Sequence, residues 1–159
     1  MKNKFIILIG IFFLFIACEK KSKPNLLLYI NRVNQLEILT VDDNCGEWGG
    51  NEKIITIYRD DLEGQLLADY IEKTKNCKNG KEPEITESIK RIKLTEEESE
   101  LILTSINELS EKKLSKEDYP SHSGIYSRIM LRDSSIMIND FPSIELKSVN
   151  ELITKLKKK

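Results

Sequence analysis

The chain has 159 residues, 25 of them basic and 26 acidic, for a net charge of -1, with 40% hydrophobic and 32% charged content. Residues 1–17 hold 13 apolar side chains, two lysines and no acid, so the remaining 142 residues carry 23 basic and 26 acidic groups, net -3. That remainder is one domain's worth of chain. It is too acidic to grip a polyanion such as nucleic acid, and its composition excludes coiled-coil, collagen-like and low-complexity classes.

Lys2 and Lys4 precede Phe5 to Ile16, 12 residues with no polar side chain, interrupted only by Gly10. This is the anatomy of a signal peptide. A helix spanning a bilayer needs roughly 20 apolar residues, and this run is ended by Cys18, Glu19, Lys20 and Lys21. The closing Phe15-Ile16-Ala17-Cys18 resembles the lipobox of bacterial lipoproteins, with Phe15 where that family usually places Leu. The resemblance implies that residues 1–17 are a removable signal peptide, that Cys18 carries the lipid, and that residues 18–25 are a lipidated tether. It also implies a place in the cell envelope, anchored to the outer membrane on its periplasmic side or at the cell surface. Acyl burial contributes about 0.8 kcal/mol per CH₂, so two chains give stable anchoring.

The rest of the chain, 26–159, reads as a single domain. Leu26 to Ile30 is apolar and open between strand and helix. Gln35 to Val41 alternates as a strand and is stopped by Asp42, Asp43 and Asn44. Ile54-Ile55-Thr56-Ile57-Tyr58 is β-rich, and the turn chemistry of Asp60 to Gly64 joins it to Gln65–Glu72 as a hairpin. Apolar residues at 85, 89, 92 and 94 change parity midway, which predicts a bulged strand or two short pieces. Thr95 with Glu98 forms a capping box ahead of a helix whose stripe is Leu101, Ile102, Leu103, Ile106 and Leu109 and which ends before Ser115. Gly124 to Arg132 and Ser135 to Asn139 form a second hairpin, broken by Asp140-Phe141-Pro142. Ser148 with Glu151 predicts another capping box, followed by Val149, Leu152, Ile153 and Leu156 at helical spacing. Lys155 and Lys157 to Lys159 then complement the helix dipole. The expected fold class is α+β: an antiparallel sheet built from hairpins, with two amphipathic helices packed on one face.

Of three cysteines, Cys18 is assigned to lipid, which leaves Cys45 and Cys77 to pair in an oxidising compartment. Closing that roughly 33-residue loop would contribute about 3.7 kcal/mol on the chain-entropy model. Two cysteines and one histidine are too few for a zinc site, so no metal or other cofactor is expected. The most unusual string runs from Asp42 to Glu52 and contains the only Trp and three of the seven Gly. Its Cys45-Gly46-Glu47-Trp48-Gly49-Gly50 core is similar to a Cys-Gly-Glu-aromatic-Gly-Gly segment of small Bacteroidota lipoproteins to which no activity is attached. An EF-hand counted from Asp42 would have Glu47 sixth and Lys53 twelfth, which fails the pattern. The expected arrangement is a disulfide-pinned connection with Trp48 packed over the bridge. The competing one makes Glu47, Trp48, Gly49 and Gly50 a binding loop with Trp48 as a rigid contact.

His122, the only histidine, lies between Ser121 and Ser123 without the strand-turn-helix context of a hydrolase elbow, and reads as a solvated turn residue. No catalytic residue is assigned. The expected function is a non-catalytic, lipid-anchored envelope protein that binds a protein or another envelope component, as an inhibitor or immunity factor would. The alternative is a small lipid-anchored hydrolase.

Overall fold

The computed structural model describes residues 27–61, 64–78, 80–117 and 120–159. The signal segment 1–17, Cys18 and the 18–25 tether lie outside the described residues. Six strands form one antiparallel sheet: β1 (Leu36–Val41), β2 (Glu52–Tyr58), β3 (Leu67–Thr74), β4 (Glu84–Lys93), β5 (Ile125–Leu131) and β6 (Met137–Ser143). Their spatial order is β4-β3-β2-β1-β5-β6. Two helices, α1 (Glu96–Ser115) and α2 (Lys147–Leu156), cover one face, so the α+β expectation holds. None of the described helices is long and apolar enough to cross a membrane.

Alternation decides which side chains meet the helices. Ile38 lies opposite Ile55 and Ile129, and Leu36 lies opposite Ile57 and Leu131; all six are buried. Ile102 and Leu109 of α1 and Val149, Leu152, Ile153 and Leu156 of α2 close the same core. On the other face Leu39, Ile54 and Ile71 make a cross-strand row that is only half-buried. The parity change in β4 is a real irregularity. Ala68 pairs with Ile92 and Tyr70 with Ile89, and the extra residue is taken up with Arg91 at φ 57°, so both isoleucines face the same side.

The residues left open at 26–30 enter the described part as a turn over 27–29, with Ile30 buried behind it. Two expectations need correction. Asp140-Phe141-Pro142 does not break the last strand: β6 runs through it to Ser143. β6 is the outermost strand, where a proline without an N–H interrupts no ladder on its free side. Buried Asp140 is also held there by an ion pair with Lys116, whose Nζ donates to the Pro142 carbonyl at 2.8 Å.

The second correction concerns the start of α2. The Thr95–Glu98 box of α1 is present in both directions, but α2 has Leu146 at its N-cap and no capping side chain of its own. Glu108, on α1, takes that role. Its carboxylate accepts the Lys147 amide at 3.0 Å, the Ser148 amide at 3.1 Å and the Ser148 hydroxyl at 2.5 Å. Burial works against the Glu108 charge, yet these donors outweigh it and hold the carboxyl below its ordinary value. The terminal lysines likewise find side chains as well as a dipole. Lys157 reaches Glu72 at 2.5 Å and Glu87 at 2.7 Å and lies over the Tyr70 ring, while Lys159 reaches Glu98 at 2.6 Å.

Candidate functional site

Because β1 starts at Leu36 and ends at Val41, the sheet has two distinct ends. The chain arrives at one, next to the β2–β3 connection and the β5–β6 turn. The other carries the 42–51 connection, the β3–β4 loop and the C-terminus of α1. The Trp48 string occupies this far end, as a 3₁₀ turn over Gly46–Trp48.

The turn is held by backbone geometry and short polar side chains. Cys45 and Cys77 form the expected disulfide, with Cα atoms 5.3 Å apart, and join the turn to the β3–β4 loop. Asp42 and Asn51 close its base. The Asp42 carboxylate accepts the amides of Asn44 at 3.1 Å and Asn51 at 2.8 Å and the Asn51 side-chain amide at 3.0 Å. Asn51 passes the connection on, its Oδ1 accepting the Lys75 amide at 3.0 Å. Glycine is required at two places for different reasons. Gly49 has φ 77°, the left-handed region that side chains resist. Gly50 is packed so closely that an added Cβ would lie 1.9 Å from Asp42 Oδ1 and 2.6 Å from its carbonyl oxygen.

Trp48 does not cover the bridge as a core residue would: it is 74% exposed. The disulfide half of the expected arrangement is present, but the ring stands in solvent. The turn is fastened through its backbone, since Lys75 Nζ donates to the Trp48 carbonyl at 2.5 Å. Glu47 is exposed beside it, Gly49 is half-buried and Gly50 is buried, so of the four expected loop residues only Glu47 and Trp48 face outward. The two glycines shape the loop. Asn51 and Lys75 were missed as supports, although an Asp and an Asn bracketing a glycine-rich string signal a closed base.

Among the described residues, His122 and its serine neighbours do not form a catalytic arrangement. His122 is exposed, and the neighbouring Ser121 hydroxyl donates to the Ser123 carbonyl at 2.6 Å. A cleft of about 130 Å³ lies between the far ends of β1 and β2 and the start of α2. It is lined by Thr40, Asp42, Lys53, Glu145 and Asn150 among others, without histidine, serine or cysteine. Ligand pockets run roughly 300–1,000 Å³, and the Asp42 carboxylate is already committed to the loop. Comparison with protein-family models, curated proteins and solved structures finds no match.

Proposed function

We propose that this chain is a lipid-anchored cell-envelope protein that holds a protein or another envelope component at the Trp48 end of its sheet, as an inhibitor or immunity factor does. The observation that carries the proposal is the placement of the only tryptophan: largely exposed, on a turn fixed by a disulfide, with a carboxylate beside it. An aromatic on a fixed backbone has only two side-chain torsions left to order on contact, and such side chains dominate interface energetics. Anchoring is supported by the resemblance of Phe15 to Cys18 to a lipobox.

Two experiments test the two parts. Labelling cells with a fatty-acid analogue should mark the wild type and leave Cys18→Ser unmarked; equal label in both would end the lipoprotein reading. For binding, a photo-crosslinking residue in place of exposed Glu47 should give an adduct of discrete mass in intact cells. Adding Trp48→Ala should remove that adduct while the melting temperature stays unchanged. An adduct that persists without the indole, or none at all, would exclude this loop as the contact.

A further inference from the structure

The opposite end of the sheet carries apolar surface that partner binding at Trp48 leaves unused. Leu28, Tyr29 and Val33, ahead of β1, and Ile136 and Met137, at the β5–β6 turn, are between 41% and 71% exposed. The two segments are fastened to one another. The Tyr29 hydroxyl donates to Asp133 at 2.8 Å, and the Arg132 amide donates to the Gln35 carbonyl at 2.9 Å. Within the first segment, Asn31 Oδ1 accepts the amides of Val33 at 2.8 Å and Asn34 at 2.9 Å, and Ile30 is buried beneath. Exposed apolar side chains gathered on a fixed support mark an interaction surface more often than scattered ones do.

We infer that this end of the domain seats on the lipid interface of a bilayer. The inference rests on the reading that the N-terminal segment is held at a membrane, and adds which face of the domain meets it. Position argues for lipid over a second protein. Eight residues lie between Cys18 and Leu27, nine steps that together span at most about 32 Å when fully extended, and the chain joins the domain at this end. Chemistry agrees. Aliphatic side chains accompanied by a tyrosine and arginines suit the headgroup boundary; Arg32 and Arg132 are exposed here beside Asp60, Asp61 and Asp133, so the basic excess comes from Lys20, Lys21 and Lys23 in the intervening sequence against the single acid Glu19 there. Seating this end also turns the Trp48 loop outward, since β1 alone spans about 20 Å.

The single tryptophan makes the test direct. The mature lipidated protein, beginning at Cys18, is reconstituted in phosphatidylcholine–phosphatidylglycerol vesicles whose acyl chains carry bromine, a contact quencher of indole fluorescence. The wild type reports from the far end through Trp48, and the double substitution Val33→Trp with Trp48→Phe reports from the near end. A ring buried about 5–10 Å into the acyl boundary should lose about half its emission or more, whereas Trp48 should lose almost none. If the protein floats with the vesicles but the relocated indole is no more quenched than Trp48, the seating is wrong and the anchor stands. If the protein fails to float, both the seating and the anchor are overturned. Val33 is a surface position, and a melting temperature equal to wild type confirms that the substituted protein is folded.

Discussion

The helix-covered core and the Trp48 loop are ordered by different means. In the core, apolar side chains are consumed in making it: Ile57, Ile102, Ile129 and Leu152 are wholly buried and available to nothing else. In the loop, order comes from a disulfide, two positive-φ glycines, a Gly50 that admits no side chain, and the Asp42–Asn51 pair. Geometry of that kind uses little outward-facing surface. It leaves the largest side chain of the segment free, which burial could not have done.

The sharpest way to break this contrast is to remove mass from each region. Leu152→Ala should cost about 2–5 kcal/mol in urea unfolding, because a well-packed site collapses only partly around the lost atoms. In the loop the comparable step is to open the ring. Cys45→Ala and Cys77→Ala should each cost about 3–4 kcal/mol, and the double variant no more than either single one, since both remove the same constraint. Additive losses would show that each cysteine has a packing role beyond the bond, and the contrast between burial and geometry would fail.

What could be read in advance follows the range of the interactions. The alternation in β1 and β2, the parity change of β4 and the Thr95–Glu98 box are local, and each appears where its spacing put it. The continuation of β6 through Pro142 was not legible, because a proline is tolerated there only once the strand is outermost, and strand order is a property of the whole sheet. The cap on α2 was misread for the same reason: Ser148 sits in a good local pattern, but a carboxylate forty residues earlier takes its amide. For Trp48 the glycines announced a shaped loop, while the exposure of the ring depends on what the sheet end leaves above it.

The Glu108 cap lies between the two modes, a polar constraint inside the helix layer. Its carboxyl has a lowered pKa in the folded protein, so its contribution is present above the unfolded value and is lost as pH falls through the folded one. Glu108→Gln should therefore be less stable than wild type by about 1–3 kcal/mol near neutrality, and the gap should narrow as pH falls below the ordinary carboxyl value and through the lowered folded one. Urea unfolding across a series of falling pH values measures this. A gap that stays constant would assign Glu108 a packing role with no charge in it.

The smallest expected effect bears most directly on the loop. Trp48→Ala should change the unfolding free energy by less than about 0.5 kcal/mol, as substitutions at exposed positions without special features do. The ring is mostly in solvent, and the bond that fastens this residue runs from Lys75 to its backbone carbonyl, which alanine keeps. A core aromatic would behave otherwise, at roughly 3–5 kcal/mol. Thermal melting distinguishes these before any partner is known. Lys75→Met provides the complementary arm: it removes the donor and leaves the indole, so it should loosen the turn, raising amide exchange at Gly49 and Gly50, while the core melts unchanged. A large loss of stability from Trp48→Ala would mean that the indole itself supports the turn and is not free to make contact elsewhere, whereas no loosening from Lys75→Met would leave the order of the turn to the disulfide and the Asp42–Asn51 pair.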